Sequence, residues 1–222
     1  AGPDLPMDWA TFRNGTSMTI RPIIFSAPMV RALIEGRKHQ TRRLAQTPSG
    51  RNAAWVNAEP GDLLYVRENW KPHSLYQNVL PCHMPRSKIF FAADNAYAPQ
   101  GRWRPSIHMP RWASRFTLEV TAVRLQRLQD ITEADAKGEG VYGSDRDWSA
   151  GGGCDGTDPI QAFAALWWKI HGIRSWNDNP AVVALTFTVH QKNVDEFLQQ
   201  REGPTSPGLD GDKPRKEVCP DL

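Results

Sequence analysis

The apolar positions of this chain recur with two periods, a spacing of two that marks strands and a spacing of three to four that marks helices, so its elements can be read in order. Thr19 to Phe25 is a β-branched run that predicts a strand. Ala27 to Glu35 repeats Met29, Leu33 and neighbouring apolar residues at helical spacing, and Gly36 is placed to end that helix. Leu63 to Val66, entered through a Pro60-Gly61-Asp62 turn, reads as a second strand, Lys88 to Ala92 as a third, and Phe116 to Val123, with alternating faces, as a fourth. These strands are expected to form the wall of a barrel. Thr132 should cap a short helix, with Asp135 at the capping-box position, Ile131 stapled against Ala136 and Glu139 at the helix end. Ile160 to His171 predicts a further helix with Phe163, Leu166, Trp167 and Ile170 on one core-facing stripe, and Ala181 to Val189 a last strand rich in Val, Leu and Phe.

Strands interleaved with a few helices, without a regular βαβ repeat or any internal sequence period, point away from a doubly wound sheet. The expected class is α/β in the mixed, α+β sense: a β-barrel with a few peripheral helices. It should occupy residues 18–192 as one domain, between a disordered leader or extension at 1–17 and a disordered tail at 193–222 that is rich in Pro, Gly and charge. Trp148 to Thr157, with its Gly151-Gly152-Gly153 run, shows neither period and lacks the Lys-Ser/Thr ending of a phosphate loop, so it reads as a flexible surface loop.

Chemistry enters directly after the first helix. Gly36-Arg37-Lys38-His39-Gln40-Thr41-Arg42-Arg43 reads as a cationic turn that puts an amine, a hydroxyl and a guanidinium on one short piece of backbone, with the spacing G-x-K-x-x-T-x-R. A Thr oxygen is a weak nucleophile alone, and an amine beside it can serve as its base. Read blandly, the same run is a solvated basic loop.

Further segments follow in order: Gly61-Asp62-Leu63-Leu64-Tyr65-Val66-Arg67-Glu68, Leu118-Glu119-Val120-Thr121 and Leu128-Gln129-Asp130-Ile131-Thr132-Glu133-Ala134-Asp135-Ala136. Together with the Lys38 motif they resemble the ASCH domain, a small β-barrel of the PUA-like superfamily associated with RNA and modified nucleosides. Trp70 and the block Ile107-His108-Met109-Pro110-Arg111-Trp112 make the chain similar to the larger members encoded by bacteriophages and prophages. The resemblance runs from about Thr19 to His190. Small ASCH enzymes that hydrolyse N-acylated cytidines, N4-acetylcytidine among them, use a Lys as base, a Thr as nucleophile and a Glu as proton donor. Lys38 and Thr41 match the first two positions, and Glu139 follows the I-T-E-x-x-A segment in register. The resemblance thus implies a metal-independent, cofactor-free amidohydrolase acting on a modified cytidine-type nucleoside, with Arg43 and nearby backbone NH groups available to an oxyanion.

Composition narrows the setting. At 222 residues and 40% hydrophobic the chain can bury one sizeable core, and its net charge of +3 permits contact with nucleic acid without demanding it. Arg37, Lys38, Arg42 and Arg43 form one basic group and Arg102, Arg104, Arg111 and Arg115 another, so the second functional reading is an RNA or single-stranded nucleic-acid binding module, ribonuclease-like in its grip on phosphates. Of the nine tryptophans, Trp70, Trp103 and Trp112 lie beside Pro, Arg or Lys and could border a loop as a lid or a base-stacking platform, and His108 could contact substrate or serve as a structural histidine. Three widely spaced cysteines suggest neither a disulfide framework nor a metal knuckle and fit a reducing cytoplasm. No apolar run is long enough to cross a bilayer as a helix. A Glu139 carboxylate close to Lys38 and Thr41 would favour catalysis over phosphate binding, because it would repel a phosphate.

Overall fold

The computed structural model describes residues 18–47, 49–94 and 101–202. The expected disordered leader, 1–17, and the tail beyond 202 lie outside the described residues. Strands β1 (Ile20–Ile24), β2 (Gln40–Leu44), β3 (Leu63–Arg67), β4 (Trp70–Pro72), β5 (Ile89–Phe91), β6 (Thr117–Arg127), β7 (Tyr142–Ser144), β8 (Asp147–Ser149), β9 (Asp155–Gly156) and β10 (Ala181–His190) alternate irregularly with helices α1 (Ala27–Ile34), α2 (Glu133–Gly138), α3 (Pro159–His171) and α4 (Val194–Glu202). The α+β class is therefore present. The main sheet has five strands in the order β1-β3-β6-β10-β2, with β1 and β3 parallel and the remaining pairs antiparallel.

Side-chain alternation explains why both faces of this sheet are covered. Leu64 and Val66 of β3 and Val183, Leu185 and Phe187 of β10 pack with Phe25 and with Val30 and Leu33 of α1. Val182, on the opposite face of β10, joins Ala136 of α2 and Phe163 and Trp167 of α3. Leu63 and Tyr65, the other face of β3, meet Val194 and Phe197 of α4. That helix corrects the expectation of a disordered tail from residue 193. Its apolar contacts, Val194, Phe197 and Leu198, stand at helical spacing but are confined to one turn, amid a polar run.

Among the described residues the main sheet is open, not the closed barrel expected. β1 and β2 are the two edges of the sheet, and no ladder joins them among the described residues. The Arg43 guanidinium reaches across between them, donating to the Ile24 carbonyl at 2.9 Å. Other expectations also shift. Ile89–Phe91 pairs with β4 in a separate two-stranded sheet instead of joining the wall. The supposed flexible loop at Trp148 to Thr157 contributes β8 and β9 to a three-stranded sheet, with Ala150 donating to the Cys154 carbonyl and Gly151, Gly152 and Gly153 turning the chain at φ of 79°, 65° and 75°.

Candidate functional site

Two helix ends build the site. After α1, Gly36 at φ 73° donates to the Leu33 carbonyl and Arg37 donates to that of Ala32. After α2, Gly140 at φ 102° donates to Lys137 and Val141 to Ala136. Both are the paired hydrogen bonds of a Schellman termination, which turns the chain sharply within one or two residues of the last helical turn. One turn delivers Lys38 and the other carries Glu139, and the two residues form an antiparallel bridge. α2 itself starts as expected: Thr132 accepts from the Asp135 amide at 3.1 Å while Asp135 accepts from that of Thr132 at 3.3 Å.

The motif is a strand and not a turn. Gln40–Leu44 forms edge strand β2, with Leu185 of β10 opposite Thr41 and Val183 opposite Arg43. Period-two alternation puts Thr41 and Arg43 on the α1 face and Gln40 and Arg42 on the other. Lys38 and Glu139 are buried together, with side chains 0% and 4% exposed. The Lys38 Nζ donates to Glu139 Oε2 at 2.9 Å, to the Glu139 carbonyl at 2.8 Å and to the Gln40 carbonyl at 2.9 Å, which accounts for all three ammonium protons. Burial pushes the Lys38 pKa below its ordinary value; the Glu139 carboxylate opposes this, while Arg43 and Arg42 add to it.

The other Glu139 oxygen accepts from Arg42 Nη1 at 3.2 Å, and Arg42 Nη2 lies 3.0 Å from Asp135 Oδ2. Arg124 reaches the same Asp135 at 2.8 Å. Burial alone would raise the Asp135 pKa, but hydrogen bonds from Arg124, Gln40 and the Thr132 backbone, with the Arg42 charge, hold it down at about 2. Thr41 is buried, and among the described residues none is hydrogen-bonded to its hydroxyl. The structure thus brings Lys38 and Glu139 into contact and places Thr41 on the adjoining strand without a bond to Lys38.

Beside this cluster, in the gap between the two sheet edges, lies a cavity of about 590 Å³. Ile24, Met29, Trp55, Ile107, Leu166 and Ile170 supply apolar walls, and Arg43, Arg67 and Lys169 are its cations. The expected core stripe of α3 is therefore divided: Phe163 and Trp167 are buried in the core, whereas Leu166 and Ile170 face the cavity. Lys38, Thr41 and Glu139 do not line it. Arg43 connects the two regions, because its guanidinium and the Lys38 amine share the ring of Phe25, 5.5 and 5.2 Å from the centroid. Burial lowers the Arg43 pKa, with Glu139 opposing.

The remaining expected site residues disperse. Arg37 pairs with Glu35, donates to the Gly140 carbonyl and lines a second cavity of about 230 Å³. Arg42 is fully sequestered in the ion cluster, so it is not an open phosphate anchor. Trp70 is 0% exposed and packs on Met84, Met109 and Ala113, with Trp112 beside it, so it is a core residue and not a base platform. Residues distant in sequence bury it, which its polar neighbours conceal. His108 is exposed at the end of a short 3-10 turn. Arg111 bonds Asp195 at 2.5 Å and braces α4. Arg104 donates to the carbonyls of Tyr76, Gln77 and Val79, and Arg115 to Glu68 and Asp94, so three members of the second basic group are structural, while Arg102 is exposed. Sequence reasoning missed Arg67 and Lys169 as cavity cations. Arg67 stands in the V-R-E segment, but only the fold sets it beside Arg43.

No helix among the described residues is long and apolar enough to cross a membrane. No protein-family model, curated protein or solved structure matches this chain.

Proposed function

We propose that this chain is a PUA-like, ASCH-type amidohydrolase that removes an acyl group from the exocyclic nitrogen of a modified cytidine-type nucleoside. The observation that carries the reading is the direct, buried contact between Lys38 and Glu139, residues 101 positions apart in sequence, at the start of the strand that bears Thr41. A salt bridge at 2.9 Å needs only one proton to cross the bond to become a neutral amine beside a carboxylic acid. Burial favours the neutral Lys38 amine, since it penalises charge.

The neutral Lys38 amine then accepts the Thr41 hydroxyl proton as Thr41 Oγ attacks the amide carbonyl carbon. Charge gathers on the carbonyl oxygen, which neighbouring backbone NH groups would meet. Glu139 returns its proton to the nitrogen as the carbon–nitrogen bond breaks and the amino nucleoside leaves. Water then attacks the threonine ester, giving one proton to restore Thr41, and the free acid departs with Lys38 and Glu139 as they began. Substrate enters through the seam between β1 and β2, which no ladder closes among the described residues and which the Arg43 side chain bridges.

The binding-module reading is weakened by the same geometry. Of its four expected anchors, Lys38 and Arg42 are already committed to Glu139 and are sealed from solvent. The test is turnover of a panel of N-acylated cytidines. Thr41→Ala is expected to abolish release of the acid while circular dichroism stays unchanged; near-normal turnover in that variant, or an inactive parent chain across the panel, removes the hydrolase.

A further inference from the structure

Arg43, Arg67 and Lys169 gather around one cavity, and none of them is paired with a carboxylate among the described residues. Arg43 donates to the Ile24 carbonyl at 2.9 Å. Arg67 donates to the Ile107 carbonyl and the Tyr65 hydroxyl, both at 3.1 Å. Lys169 donates to the Gly152 carbonyl. Each cation is thus oriented by a neutral acceptor and keeps its charge unanswered. No Asp or Glu lines the cavity. The carboxylate that acts on Arg43, Glu139, is already held by Lys38 and Arg42. Elsewhere in the fold Arg42, Arg111 and Arg115 are matched to acids, whereas Arg104 is held by three carbonyls alone.

Three like charges around an apolar hollow cost Coulomb energy that a bound anion removes. The volume of about 590 Å³ is that of a small-molecule site. Trp55, Met29 and Ile24 offer flat and apolar surface for a base, and the cations stand around them. Ser26, whose side chain makes no capping bond to α1, adds a hydroxyl to the lining. Gly151 and Gly152 close one side; a Cβ on Gly151 would stand 2.9 Å from Pro28 Cβ, so only glycine lets the hairpin lie that close.

We infer that this cavity binds a nucleoside phosphate, the base against the apolar wall and the phosphate among Arg43, Arg67 and Lys169. The inference rests on the hydrolase reading for the nucleoside and on the cavity's charge for the phosphate. It makes the substrate an acylated nucleotide unit, not a free nucleoside. A phosphomonoester carries close to two negative charges at neutral pH, and guanidinium groups bind it with paired donors.

The test is a calorimetric titration of the full chain carrying Thr41→Ala with cytidine and with cytidine 5′-monophosphate at one ionic strength. The monophosphate is expected to bind at least about tenfold more tightly, as charge-assisted hydrogen bonds from two or three cations allow. In the added presence of Arg67→Gln and Lys169→Gln the preference should fall below about threefold. Lys169→Gln alone, a change at an exposed side chain, is expected to reduce it in part and places no demand on folding. A single-stranded cytidine trinucleotide separates the two sources of phosphate: tighter binding of the trinucleotide, lost in the same variants, assigns the site to a strand, and equal or weaker binding assigns it to the free nucleotide. Equal affinity for cytidine and its monophosphate, no binding of the monophosphate, or a preference that survives both substitutions overturns the inference. Turnover of acylated cytidine by the parent chain is read separately. Turnover without a phosphate preference keeps the hydrolase and removes this inference; a phosphate preference without turnover does the reverse.

Discussion

Arg42 and Arg43 are neighbours on one edge strand, yet the fold treats them oppositely. Arg42 points to the α2 face, where Glu139 and Asp135 meet it, and its side chain is 0% exposed. Arg43 points to the α1 face, where it finds a carbonyl, an aromatic ring and a cavity with two further cations. One charge has been neutralised and sealed, and the other has been left to answer something that arrives. Strand alternation alone produces the difference, since a shift of one residue would exchange the two environments. A basic run in a sequence therefore carries no single meaning: alternate positions can be structural and functional.

Removing the acid should break the sealed side most severely. In Glu139→Ala, Lys38 and Arg42 lose their shared carboxylate inside the protein, which typically costs about 3 to 5 kcal/mol when a buried pair is opened. Urea denaturation would read it, and a loss under about 1 kcal/mol would mean that the cluster relaxes into water and is not sealed. Lys38 limits the cost, because its lowered pKa lets it shed its proton when the carboxylate is gone.

The two arginines themselves sharpen the contrast. Arg42→Met is expected to cost about 2 kcal/mol, less than Glu139→Ala, because Glu139 keeps Lys38 and Asp135 keeps Arg124. Arg43→Met should lie within about 1 kcal/mol of the parent, since it removes an unanswered cation and one hydrogen bond together. Equal costs for the two substitutions would erase the distinction between the faces. Between these lies Gly140→Ala: its φ of 102° strains any L side chain, and the new methyl would stand 2.9 Å from Ala32 Cβ. A loss of about 1 to 2 kcal/mol is expected, with Glu139 displaced from Lys38.

Much of this architecture is legible in the residues. The alternation in Phe116 to Val123, the helical stripe after Ser26, the glycine that ends it and the Thr132–Asp135 capping box are local signals, and each appears where the local physics puts it. The Lys38 and Glu139 positions emerge from motif order, and the fold brings them into contact. What the residues conceal has a common cause. β2 reads as a turn because it is almost wholly polar, and its burial is compensated by carboxylates about a hundred positions away. Trp70 reads as surface because its neighbours are polar, while Met84 and Met109 that bury it are distant in sequence. Arg67 and Lys169 become one site with Arg43 only when the sheet edges approach, and nothing in local spacing encodes that approach.

The smallest expected effect concerns acid. Asp135 has a pKa of about 2 in the folded chain against an ordinary 3.8, because Arg124, Gln40, the Thr132 amide and Arg42 together outweigh the opposing effect of burial. A carboxylate whose folded pKa is depressed binds its proton less readily when folded than when unfolded. Its stabilising contribution is therefore fully present above 3.8 and is lost as the pH falls through about 2. The group borders solvent near Arg124, so screening keeps the contribution modest. Thermal midpoints measured from neutral pH down to pH ~2 should fall through that interval, and the fall should be shallower in Asp135→Asn, which cannot titrate. Arg43→Met should leave the slope close to that of the parent, because no Asp or Glu lines the cavity it faces; a slope altered by Arg43→Met but not by Asp135→Asn would place the titrating acid on the cavity side and reverse the assignment of the two faces.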